Sequence, residues 1–170
     1  MMDYKHANAL ASEALKLWGS GQLAETADRY QRAIEISPTY PDWHGAYAGV
    51  LQQMGRSEEA TQEYETVLML ELERGALESD SSVKVARYFL GDHLRKSGQA
   101  AKALEILAPA ATAFPSDWLI ATARAQALFS VGQIAEARAQ AKQAIENAGS
   151  EPKRAELTEH LSEVLSGEMG

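Results

Sequence analysis

The chain has 170 residues, 45% of them hydrophobic, enough to bury a core and suited to one domain or a short repeat array. A formal charge of -8 argues against nucleic-acid binding, which needs clustered Lys and Arg to displace counterions. The absence of cysteine excludes disulfides, thiolate metal sites and thiol nucleophiles, and no run reaches the roughly 18 apolar residues of a membrane span. The start, Met1-Met2-Asp3-Tyr4-Lys5-His6, leads into an Ala-rich amphipathic stretch without the continuous apolar core of a signal peptide, so the expected location is cytoplasmic.

Along the chain, Gly21, Gly55, Gly98 and Gly132 each follow one stretch of helical apolar spacing and precede another, at intervals of 34, 43 and 34 residues. Leu17, Leu51, Leu94 and Leu128 stand four positions before these glycines, and Ala14, Ala48, Gly91 and Ala125 three positions earlier still. After the glycines come Thr26, Ala60, Ala103 and Ala137, then Tyr30, Tyr64, Leu107 and Ala141, then Ala33, Val67, Ala110 and Ala144. Small and large residues therefore alternate where two helices must approach. Each unit reads as two antiparallel helices joined by a glycine turn, and Pro38 and Pro115 close two of the units.

This register resembles the tetratricopeptide repeat over nearly the whole chain. The units run over about 7–40, 41–83 with a nine-residue insertion, 84–117 and 118–149. Leu90-Gly91 matches the family's Leu-Gly pair, and Tyr30, Ala33 and Pro38 match its later positions. Departures are visible too: the early Trp is out of register, Glu13 and Arg124 stand where a core leucine is usual, and Leu72 and Gly149 replace proline. The resemblance implies an all-α, right-handed solenoid of about four antiparallel helix pairs in a single domain.

The insertion falls between Leu68 and Val83. Helix signals persist through Arg74 and cap signals appear at Ser79 to Ser82, which predicts a lengthened second helix in the second unit, a short loop and a restart near Ser82. This is read first as a tolerated loop insertion; a change of stacking angle that widens the groove is the sharper reading. Pro109 falls inside a predicted helix and should kink it without starting a new element. Past the fourth unit, Ser150-Glu151-Pro152 begins a predicted capping helix over about 151–166, with Leu157, Leu161, Val164 and Leu165 as its apolar stripe.

A search for chemistry finds no phosphate loop, nucleophile elbow or metal motif, so neither enzyme activity, metal nor cofactor is expected. The histidines His6, His44, His93 and His160 lie on different units and read as solvated or edge residues. Asp92 and His93, adjacent on a helix, point about 100° apart and make no catalytic pair. Between Glu58 and Asp80, eight acidic residues face one Arg74: a solvated outer helix, or a docking surface for a basic partner.

In the family, the first helix of each unit lines a concave groove. The positions that do so here are small and smooth early on, apart from Trp18 and Gln52. They become richer at Tyr88, Asp92, Arg95, Gln126 and Phe129, with Lys96 at the rim, a mixture of aromatic anchors and hydrogen-bonding groups suited to peptide binding. The dicarboxylate clamp of chaperone-binding members is missing, since its positions hold Ala11, Leu15, Ala46, Val85 and Phe89. The expectation is a protein-interaction scaffold or adaptor that holds a partner peptide, with no nucleic acid and no membrane insertion. A chaperone of a secreted or assembly protein is the alternative, and a regulatory or self-associating module forming a homo-oligomer is a third.

Overall fold

The structure is a computed structural model that describes residues 2–167. It is all-α, with α1 (Met2–Gly19), α2 (Leu23–Ile36), α3 (Pro41–Gln53), α4 (Ser57–Glu73), α5 (Ser81–Lys96), α6 (Ala100–Ala113), α7 (Trp118–Ser130), α8 (Ile134–Glu146), α9 (Glu151–His160) and α10 (Ser162–Ser166). There is no strand among the described residues. Helices α1/α2, α3/α4, α5/α6 and α7/α8 pack as pairs, as the glycine spacing predicts.

The four turn glycines are what makes each pair a hairpin. Gly21, Gly55, Gly98 and Gly132 have φ of 77°, 75°, 82° and 80°, in the left-handed region that disfavours a side chain. In every case the next amide reaches back to the leucine of the repeat register: Gln22 to Leu17, Arg56 to Leu51, Gln99 to Leu94 and Gln133 to Leu128. These long bonds close off the last carbonyls of the first helix, and the second begins two residues after the glycine.

The chain divides into two compact units, one ending at Ala76 and the other beginning at Leu77, inside the insertion. In the first, α2 packs on α3 between the two hairpins. Ala14, Ala33, Ala48 and Ala60 are fully buried there, and Leu51, also fully buried, supplies bulk where they leave room. The 17-residue α4 exceeds the 13 or 14 residues of α2, α6 and α8, the lengthening expected from the insertion.

In the second unit, α6 packs on α7, α5 on α7, and α9 and α10 on α8. Helix α6 continues through Pro109, so no new element starts there. Asp117 caps α7 by accepting the Ile120 amide at 3.0 Å. The helix expected over 151–166 is in fact two, separated at Leu161, and this corrects the sequence reading. The break turns the short α10 onto α7 and α8, where Leu161 and Val164 join the core of Ala125, Leu128, Ala137 and Ala141.

Candidate functional site

The sequence-predicted residues fall into both units. In the first, Trp18 at the end of α1 donates its indole N–H to Gln53 Oε1 at 3.1 Å. A Cβ on Gly49 would lie 3.1 Å from Trp18 Cη2, so the bare glycine is what seats the ring on α3. Gln52 Oε1 accepts the Tyr64 hydroxyl at 3.3 Å. Both side chains thus serve contacts within the unit.

The second unit presents a more varied surface on α5. Val85 and Phe89, one helical turn apart, are 41% and 49% exposed, large apolar groups left in water. Tyr88 beside them is half-buried against Leu107, Ala110, Ile120 and Ala123, and its ring meets that of Phe89 edge-on at 5.3 Å. Burial, then the Asp92 charge, raises the Tyr88 hydroxyl above its ordinary pKa, with Arg95 opposing, so it remains a neutral donor. One turn further on, Asp92 accepts from Arg95 Nη2 at 3.0 Å and from Lys96 Nζ at 2.6 Å. Two cations share one carboxylate and leave a net positive charge beside the aromatic pair.

On α7, Gln126 contacts His160 Nε2 of α9 at 2.8 Å, while Phe129 packs against the Ala125–Leu128 core. The structure therefore brings Tyr88, Asp92, Arg95 and Lys96 into one patch on α5 and places Gln126 and Phe129 on the neighbouring α7. Val85 and Phe89, at positions of the absent clamp, adjoin that patch on the same helix. The signal in the sequence is their i, i+4 spacing, which sets the two side chains one above the other on α5.

Two of the histidines correct the sequence reading, for His44 and His93 are buried rather than solvated or at an edge. His44 Nδ1 lies 2.6 Å from Glu63 Oε2 and Nε2 lies 2.8 Å from the Pro38 carbonyl. A carbonyl and a carboxylate only accept, so the two contacts are both satisfied when the ring is protonated and each nitrogen donates. Burial, the largest single effect, opposes that charge, but the bonds to Glu63 and Pro38 with the Glu63 charge together raise the His44 pKa above its ordinary value. A raised folded-state pKa adds stability that is complete below the unfolded pKa, near 6.5, and is lost as pH rises through the folded value. Glu63→Gln should therefore destabilise by about 1–3 kcal/mol in mild acid, with the gap from wild type closing in alkali. Urea denaturation across a pH series checks this, and a gap independent of pH would refute it.

Paired helices joined by left-handed glycines, with small residues at each crossing, define a helical-repeat protein. Residues 17–77 match the tetratricopeptide repeat family, and the chain has the helical-hairpin fold of such repeats. No curated protein sequence matches it. Among solved structures it is similar to a Podospora anserina protein described as having kinesin light chain nearly identical TPR-like repeats, at TM-score 0.80 and 17% identity over 98% of this chain and 89% of that one. It is also similar to MamA of Desulfovibrio magneticus RS-1, at TM-score 0.72 and 17% identity over 95% and 94%. YrrB, a TPR protein with an unusual peptide-binding site, aligns at TM-score 0.63 and 19% identity over 93% and 80%. At these identities the likeness is one of fold. No described helix is long and apolar enough to cross a membrane.

Proposed function

We propose that the protein is a non-catalytic interaction module that holds a peptide segment of a partner protein on the α5–α7 face of its second unit. The observation that carries this reading is the exposed Val85–Phe89 pair set against the Asp92–Arg95–Lys96 cluster. An apolar side chain of the peptide would shield the aromatic patch, and an acidic group beside it would meet the excess positive charge. Tyr88, anchored in the core, supplies a rigid ring with little rotamer entropy to lose, and Gln126 offers an amide nearby. The peptide-binding site of YrrB, a protein of the same fold, supports the class of ligand.

Peptides selected against the wild-type protein from a random display library are the test. Tyr88→Ala combined with Arg95→Glu should weaken them by at least about tenfold in fluorescence polarisation, as truncated hot spots do. Selected peptides that bind the double variant as tightly as wild type would refute the assignment.

A further inference from the structure

Arg124, at a position where the repeat usually has a core leucine, lines a crevice of about 80 Å³ between α6, α7 and α8. Ala111, Phe114, Ile120 and Ala121 form its apolar walls. The other polar groups there are already engaged. Asp117 takes the Ile120 amide at 3.0 Å and Lys84 Nζ at 2.7 Å, Gln143 donates to the Pro115 carbonyl at 2.8 Å, and Gln140 donates to Gln143 at 2.9 Å.

Arg124 is not so provided for. Among the described residues its one hydrogen bond is a long one, Nη1 to Gln140 Oε1 at 3.4 Å, and its Nε is buried with no acceptor. No described carboxylate lies within ion-pair distance of it. A guanidinium has five N–H donors, and the side chain is only partly buried, so the buried Nε–H is left unsatisfied while the rest of the group stays open to a ligand.

The first repeat shows what is absent. Glu13 and Arg29 are separated by 16 residues, as are Arg124 and Gln140, and they form an ion pair at 2.9 Å. In the fourth repeat the cation stands on the first helix of the pair and meets only a neutral amide. The local charge also favours an anion: residues 84–149 carry eight Lys and Arg against five Asp and Glu, in a chain that is acidic as a whole.

We propose that this crevice binds one carboxylate, borne by an Asp or Glu side chain of a partner protein or by a small free acid. Arg124 supplies charge-assisted hydrogen bonds to it, and the apolar walls take the adjoining methylene. The crevice volume exceeds the ~10–15 Å³ that a single water molecule needs on the same measure. Two residues on a helix are about 200° apart, so Arg124 faces away from Gln126 and the site is independent of the α5–α7 reading.

The test follows the Arg124 Nε–H resonance and the Ile120 and Ala121 amides of nitrogen-15-labelled protein. The probes are sodium acetate, sodium chloride at matched ionic strength, and the peptide acetyl-Gly-Glu-Gly-amide. Acetate should give a saturable shift that is lost in Arg124→Leu, and binding should be at least about tenfold weaker in Gln140→Glu, which installs an internal carboxylate as in the first repeat. Should Arg124→Leu fail to fold, Gln140→Glu carries the test alone. Peptide binding as tight as acetate or tighter assigns the side-chain source, and acetate binding alone assigns the free acid. Shifts equal with chloride, shifts that persist in Arg124→Leu, acetate binding unweakened in Gln140→Glu, or no saturation with either carboxylate would overturn the proposal.

Discussion

Leu107→Ala is expected to lower stability by about 2–5 kcal/mol, the range for truncating a buried leucine in a core that cannot fully collapse. Leu107 is fully buried with Ala110, Ile120 and Ala123, where α6 meets α7. It also fills the space over Gly91, since a Cβ there would lie 2.7 Å from Leu107 Cγ. Gly91→Ala should itself destabilise by about 1–3 kcal/mol through overpacking, against the roughly 1 kcal/mol that alanine gains in a helix interior. The two changes should compensate in combination, because the added methyl enters the volume that Leu107 vacates. A double-mutant cycle by urea denaturation should show a coupling of at least about 0.5 kcal/mol. Strict additivity would mean that α5 and α6 do not approach at this point.

Glu78→Ala should destabilise by about 2–3 kcal/mol, more than Arg87→Met, even though Glu78 is the more exposed partner. The reason lies in what each substitution leaves behind. Arg87 is buried on α5; its Nε donates to Glu78 Oε2 at 2.7 Å, its Nη2 donates to the other carboxylate oxygen, and its Nη1 donates to the Ile106 carbonyl at 3.1 Å. Without Glu78 the guanidinium remains buried with no counter-charge. Without Arg87 the Glu78 carboxylate, its side chain 41% exposed, is taken up by water, and methionine keeps most of the packing. The figure for Glu78 is set below that of a fully buried pair because solvent reaches the carboxylate. The hydrogen bond from Arg87, the largest effect, together with its charge lowers the Glu78 pKa, and burial only partly opposes them. A depressed carboxylate pKa contributes stability above the unfolded value, near 4.3, and loses it as pH falls through the folded value. The gap between wild type and Glu78→Ala should close in acid; equal losses for the two variants at neutral pH would refute the asymmetry.

The candidate site was partly legible. Tyr88, Asp92 and Arg95 stand at the groove positions that the family resemblance implies, which share one helix face, and Lys96 follows as a charge at the rim. Phe89 was placed at the position of a missing clamp and was not recognised as surface, because its exposure depends on what the neighbouring helix covers. Trp18 and Gln52 were singled out by type and position. Their partners, Gln53 with Gly49 and Tyr64, could not be read from spacing. The acidic run from Glu58 to Asp80 looked uniform in sequence, yet Glu63 holds His44 and Glu78 holds Arg87.

The amino-acid sequence by itself determined the helix pairs, their glycine turns, the small residues at each crossing and the lengthened α4. All of these are local: a positive φ selects glycine at a turn, and a close helix crossing selects alanine at a fixed period. Only the tertiary structure decided which polar groups meet. His44 found Glu63, Arg87 found Glu78, and Arg124 found a glutamine where Arg29 has a glutamate. Periodicity states that a side chain points inward, but the side chain it meets depends on reach and on the angle between packed elements, which no local pattern encodes.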